Sequence, residues 1–330
     1  MGYTHKWVPP SAAYGNNLTA WKTICQDIHT QLLASGLDAA SDTGQLDITA
    51  VGALPSFGGW AGYKMYTFDD GPTPAIFIKL EFGLGTDGLH DGGYGAHKMI
   101  RIRVTIGSAT DGAGGITGNS VQYQCPQSYN APDGTNYLTS LIAGYSMLCY
   151  NQDRGFLGLY YQVAGRPSVV YDGNKYGGYV GATLVINIQR LYDADGTVNS
   201  DGYMVLYPDL ATADGNNPTW TFGNMTQSKA KIIHADNSIT QATSQISRTL
   251  THPYQGNISC DHPYAFDDLN GVVEMSCVGV SKLNAISIAQ EFDLELAPSI
   301  TQHMISVGRE TSMSFYPTKG QEHCAFMLWE

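Results

Sequence analysis

Along most of this chain apolar and polar residues alternate one by one. In PAIFIKLEF (74–82), Ile76, Ile78, Leu80 and Phe82 share one side, and Phe77, Lys79 and Glu81 share the other. KMIRIRVTIG (98–107) repeats this with Ile100, Ile102, Val104 and Ile106 against Arg101, Arg103 and Thr105. A period of two is that of a strand with one buried face, so the segments predict a neighbouring pair. The intervening GLGTDGLHDGGYGAH holds six glycines between Gly83 and Gly95, more than a tight hairpin needs. The same period predicts strands at 137–150, 156–163, 167–171, 182–192, 203–207, 230–234, 271–281, 291–296, 299–307, 311–316 and 323–330. Strands separated by Gly, Asn and Asp turns predict a mainly β fold, an antiparallel sandwich or barrel-like arrangement.

One segment has the helical period instead. Between Asn17 and Leu37 the apolar residues Trp21, Ile24, Cys25, Ile28, Leu32 and Leu33 fall on one helical stripe. Asn17 or Thr19 suits the cap, and Gly36 followed by Leu37 suits a Schellman stop. Before this helix, VPPSAAYGNN reads as an extended arm, because Pro9 and Pro10 donate no backbone hydrogen bond. Trp7 and Tyr14 would anchor it, and the expectation is that residues 1–17 are ordered only by an adjacent subunit. The organisation predicted is an arm and helix over 1–50, a first β region over 51–210 and a second over 211–330, with ATADGNNPTW (211–220) as the boundary and one continuous β domain as the alternative.

Composition sharpens this. The 330 residues are 43% apolar but only 14% charged, with 38 glycines and 21 tyrosines. Seven of the 29 acids are Glu and 22 are Asp, which places the acids mainly in turns. A net charge of −12 with 17 Lys plus Arg argues against a nucleic-acid groove. No apolar run reaches the roughly 18–20 residues of a membrane span, MGYTHKWVPP lacks the apolar core of a signal peptide, and Lys6 stands where a myristoylation motif needs Ser or Thr. Six isolated cysteines, without C-x-x-C pairs, read as buried free thiols.

Few segments suggest chemistry. In LYDADGTVNSDGYMVLY, Asp193, Asp195, Asn199 and Asp201 bring four oxygen donors together, yet Gly196 and Met204 occupy the wrong positions for an EF-hand. The flanking strands favour a hairpin tip, with a calcium loop as the alternative. His252, Asp261, His262, Asp267 and Asp268, and likewise His90, Asp91 and His97, lack a spacing that converges on a metal, so structural or surface roles are expected. SATDGAGGITGN (108–119) follows a strand as a phosphate cradle does, without the cradle's spacing or helix. No G-x-S-x-G, Walker A or H-E-x-x-H is present, so neither catalytic residues nor a cofactor are predicted. YDGNKYGGYVG (171–181) presents Tyr176 and Tyr179 among amide donors, a composition suited to protein or sugar surfaces, although tyrosines that simply fill strand faces are the favoured reading.

The order of segments carries a resemblance. The W…I…DI…LL…GL helix, then SDTGQLD, FDDGPTPAIFIKLEFG, RIRVTIGSATDGAGGITG and the closing RETSMSFYPTKGQEHCAFMLWE, resemble virion structural proteins of tailed bacteriophages over most of the chain. The resemblance implies a tail or baseplate subunit, assembled in the host cytoplasm into rings or spikes with other virion proteins, and no enzyme. A homo-oligomer is expected with it, and the composition already argues against nucleic-acid and membrane partners. Trp7, Tyr14, Trp21, Tyr176 and Tyr179 are the candidate contact residues. Two alternatives stand beside it. One is a receptor- or glycan-binding module at the virion tip, using loops 83–97, 171–181 and 193–202; the other is a cell-wall-degrading enzyme.

Overall fold

A computed structural model describes residues 2–8, 17–56, 58–68, 71–86, 98–125, 145–152, 156–163, 169–171, 174–176, 183–192, 197–208, 228–241, 244–251, 258–267, 271–274, 278–281, 291–297, 300–310 and 322–328. The fold is mainly β and antiparallel, with one long helix, α1 (Asn17–Ala34). Strand β1 is Gly2–Val8. Strands β2 (Asp38–Ala39), β3 (Trp60–Phe68), β4 (Ile76–Thr86), β5 (Lys98–Thr110) and β6 (Ile116–Cys125) form a five-stranded sheet in chain order. Next come β7 (Tyr145–Gln152), β8 (Phe156–Val163), the small pair β9 (Val169–Tyr171) and β10 (Asn174–Tyr176), β11 (Thr183–Tyr192), β12 (Val198–Pro208), β13 (Ser228–His234) and β14 (Ile239–Gln241). Of these, β7, β8, β11, β12, β13 and β14 join β1 in a seven-stranded sheet, ordered β1-β7-β8-β11-β12-β13-β14.

The remaining strands are β15 (Ser244–Thr251), β16 (Ile258–Asp267), β17 (Gly271–Glu274), β18 (Val278–Ser281), β19 (Glu291–Ala297), β20 (Ile300–Glu310) and β21 (Glu322–Leu328). They make a second seven-stranded sheet, β15-β16-β18-β21-β20-β19, with β17 also on β16. Among the described residues every sheet runs open from edge to edge, so the arrangement is sandwich-like and no barrel closes. The segment 211–220 lies between β12 and β13, which pair with each other, and the chain changes sheets between Gln241 and Ser244.

Alternation does what the sequence implies. Ile76, Ile78, Leu80, Phe82 and Leu84 of β4 lie beside Ile100, Ile102, Val104 and Ile106 of β5, all buried. Trp21, Ile24, Cys25, Ile28 and Leu32 of α1 cover this face, joined by Ile188, Tyr203, Val205 and Ile233 of the first seven-stranded sheet. Each such side chain contributes about 1.5–3 kcal/mol by leaving water. Burial raises the Cys25 thiol's pKa well above its ordinary value, in keeping with the buried free thiol expected. The helix runs already from Asn17, so Thr19 stands inside its first turn rather than capping it. It ends as the sequence implies: Gly36 N–H donates to Leu33 O, Leu37 N–H donates to Leu32 O, and Gly36 has φ 98°.

The expectation that the N-terminal arm is ordered only by a neighbour is overturned for Gly2–Val8. These residues pair antiparallel with β7 of their own chain, from Gly2 opposite Asn151 to Val8 opposite Tyr145. The prolines begin at Pro9, so all seven residues keep their N–H groups, and Tyr, Thr, Trp and Val favour strands. Residues 258–267, within the stretch read from the sequence as His/Asp-rich, form a strand, and residues 244–251 before it form another. His262 and Pro263 fall where the far side of β16 passes from β18 to β17, a position where a missing N–H is tolerated.

Candidate functional site

The polar side of the five-stranded sheet carries the most developed side-chain arrangement among the described residues. Register places Tyr63, Glu81 and Arg103 in one cross-strand row, and Met65, Lys79, Thr105 and Gln122 in the next. Opposite charges directly across a ladder attract. The Arg103 guanidinium donates from Nε and one Nη to the two Glu81 carboxylate oxygens at 2.5 and 2.6 Å, a bidentate fork. That bond, ahead of the opposing effect of partial burial and the Coulombic pull of Glu81, raises the Arg103 pKa further. Lys79 Nζ stands 3.6 Å from Glu81 and 5.0 Å from the Tyr63 ring centroid.

Trp60 sits one row along, where β3 bulges between Trp60 and Gly62. Its neighbour across the ladder is Gly83. A Cβ there would lie 2.4 Å from Gly59 O and 2.9 Å from the indole, so only glycine lets this backbone and ring approach. The guanidinium carbons of Arg101 and Arg103 lie 4.7 and 4.6 Å from the indole centroid, within cation–π range. Arg101 also donates to Gly58 O at 3.1 Å. Arginine is therefore already in place against the indole, which leaves it poorly suited to stack on a sugar.

A tight turn, 111–115, borders this face. Asp111 Oδ1 accepts from Ala113 and Gly115, Asp42 Oδ2 accepts from Gly114, and Thr110 Oγ1 accepts from Gly112. Every amide from 112 to 115 thus donates to an oxygen of the protein itself, and a bound phosphate would find none free. The phosphate-cradle reading fails on that count. The same amides hold the exposed Asp111 carboxyl below its ordinary pKa. Tyr63 lies over Gly114, where a Cβ would meet its ring at 2.1 Å, and donates its hydroxyl to Thr43 O. Its phenol pKa is raised, first by burial and then by the Asp42 and Asp111 charges.

The contact residues expected from the sequence are not brought together here. Trp21 is a correction: it is fully buried, and its Nε1–H donates to Gly83 O at 2.9 Å, so its indole ties the helix to β4 and has no surface for a partner. Trp7 lies in β1 opposite Ser146, and Tyr176 ends β10 opposite Val169. Tyr14, Tyr179, His90, Asp91, His97, His252 and Asp268 lie outside the described residues, as do Asp193 and Asp195 of the candidate calcium loop. Asn199 and Asp201 belong to β12, where Asn199 Oδ1 accepts the Asp201 N–H at 2.6 Å; β11 and β12 pair across the connection, as a hairpin requires.

The sequence does contain a signal for the Glu81–Arg103 fork, namely Lys79 and Glu81 on one predicted strand beside Arg101 and Arg103 on its neighbour. Trp60 and its bulge gave no comparable signal. The arrangement is a donor-rich surface with Arg103 and Lys79 partly open to solvent and Gln122 exposed. Donors of this kind bind carbonyl and carboxylate groups of a partner. No protein-family model, curated protein or solved structure matches the chain.

Proposed function

We propose that the chain is a structural subunit of a tailed-phage virion, in the tail or baseplate, that works through protein–protein contacts with its own copies and other virion proteins. The observation that carries this reading is the architecture: antiparallel sheets, of which the first seven-stranded one is completed at its edge by the chain's own N-terminal strand. Such a scaffold holds surfaces at fixed angles, which is what a closed symmetric assembly requires of its subunits. The resemblance of segment order to phage virion proteins points the same way. The fork and the arginine-flanked Trp60 favour contact with protein carbonyls and carboxylates over stacking on a glycan.

The test is to locate the protein and weigh its assembled form. Particles probed with an antibody to this chain are expected to carry label at the tail or baseplate in fixed stoichiometry, and the purified protein to form a discrete oligomer. A compact monomer that binds no particle component overturns the proposal. Release of sugar or peptide from host envelopes by the pure protein would establish an enzyme instead.

A further inference from the structure

We infer that the polar side of the five-stranded sheet is a two-fold contact between copies of this chain, in which the Arg103 side of each face lies on the Asp111 side of the other. This rests on the assembly reading above and names the face through which copies pair. Charge is divided across the width of the sheet. Strands β3, β4 and β5 lie in that order, so Arg103 on β5 stands two strands from Tyr63 on β3, about 10 Å away. Arg103 engages Glu81 through Nε and one Nη and keeps 29% of its side chain exposed, so a partner's carboxylate can reach the edge that the fork leaves open. The acidic side is at β3, where Tyr63 lies against Gly114 of the 111–115 turn. Asp111 of this turn is exposed, and the Ala113 and Gly115 amides that donate to its Oδ1 hold the carboxyl ionised.

A face with a cation on one side and an acid on the other is complementary to itself. Half a turn about a line along β4, the middle strand, brings each copy's Asp111 over the other's Arg103. Lys79 lies on β4 near that line, and Glu81 at 3.6 Å offsets the approach of its symmetry mate. The residue types favour the same use. Trp, Tyr and Arg dominate the energetics of protein interfaces, and Trp60, Tyr63 and Arg103 meet here half-buried. The β3 bulge and Gly83 set Trp60 in place, and the fork sets Arg103, so little side-chain freedom remains to be lost on docking. Each copy has a net charge of −12, which opposes approach, but physiological salt screens that repulsion within about 8 Å, and the contact pairs then decide.

The test adds single charges at exposed positions beside the fork and the turn. Full-length protein is weighed by sedimentation equilibrium at about 0.15 M salt, where the wild type is expected at twice 35.6 kDa or an even multiple of it. Gln122→Glu adds an acid to the cationic side, and Ala113→Lys adds a cation to the acidic side. Each is expected to weaken self-association by about tenfold or more, and an equimolar mixture of the two to recover it, because the added acid of one then meets the added cation of the other. Folded variants that associate like the wild type, or a mixture that does not recover, overturn the inference and leave the assembly reading standing. Normal self-association with loss of binding to a different particle protein gives the face to that protein and has the same effect, as does a wild-type monomer found in particles. A monomer that binds no particle component overturns both. Should Gln122→Glu not fold, Gln122→Lys reads the opposite sign: association is expected to tighten, and no change refutes the inference.

Discussion

Single residues decide how firmly the outer face of the five-stranded sheet is held. Glu81 accepts both arms of Arg103 while only 13% exposed, so Glu81→Gln removes the charge from a bidentate pair and leaves the guanidinium partly desolvated. The expected loss is about 1–2 kcal/mol, read by urea denaturation. Lys79→Ala should cost about 0.5 kcal/mol or less, because its approach to Glu81 is longer and it is partly solvated. His29 tests the pH dependence. Its Nδ1 lies 2.9 Å from the Tyr66 hydroxyl, and burial, then Lys64, lowers its pKa. Above the ordinary histidine value of about 6.5 both folded and unfolded states are neutral. As pH falls below that value the unfolded state takes up the proton first, so stability declines until the lower folded value is passed. The decline in urea midpoint between about pH 7.5 and 5.5 should be smaller in His29→Gln. The charged face was legible in the sequence, since Lys79, Glu81, Arg101 and Arg103 fall on the polar sides of two strands that had to be neighbours, whereas the pairing of Glu81 with Arg103 needed the register. The Trp60 arrangement was not, because a bulge shifts faces by one residue and leaves no periodic trace.

At the scale of elements, local sequence signals held wherever the local chemistry was sufficient. The end of α1 needs only Gly36 in the left-handed region and Leu37 returned to the core, and both were readable. Gly36→Ala is expected to lower stability by about 1 kcal/mol through the Cβ penalty at φ 98°, with thermal unfolding as the readout. Strand β6 was less legible. ITGNSVQYQC places Val121 and Tyr123 inward, but Gly118 and the preceding glycines make its start read as loop. The 111–115 turn resolves that ambiguity by using side-chain oxygens, including Asp42 from 72 residues away at Gly114, and no local window contains that partner. β1 was missed for a related reason: Pro9 and Pro10 dominated the reading of a segment whose pairing partner lies at Tyr145–Gln152.

For the whole molecule the decisive contacts join the five-stranded sheet to the first seven-stranded one. Beyond their shared apolar core, Ser108 meets the Tyr203 hydroxyl at 3.2 Å and Asn119 N–H donates to Asn237 Oδ1 at 3.1 Å. Arg190, fully buried in β11, donates from Nη1 to Pro74 O at 2.6 Å and from Nη2 to Pro72 O at 3.1 Å, fastening the turn between β3 and β4. Its guanidinium also lies 5.8 Å from the Tyr203 ring centroid. Period two puts Arg190 on the same side as Leu184, Ile186 and Ile188, so the sequence shows a charge on an apolar face but not the two carbonyls it meets, which lie more than a hundred residues away. The planar fork is what two separated carbonyls require; a lysine ammonium at the end of a flexible stem does not reproduce it. Arg190→Met, close in volume to part of the side chain, removes the donors and leaves two carbonyls to be resolvated, an expected cost of about 2–4 kcal/mol. Arg190→Lys should recover less than half of that. If the clamp joins the sheets, the loss appears locally as faster amide exchange at the β3 and β4 residues flanking the turn, before β5 and β6 respond. Uniform acceleration across all four strands would instead assign Arg190 to the general stability of the core, and wild-type exchange in Arg190→Met would deny it either role.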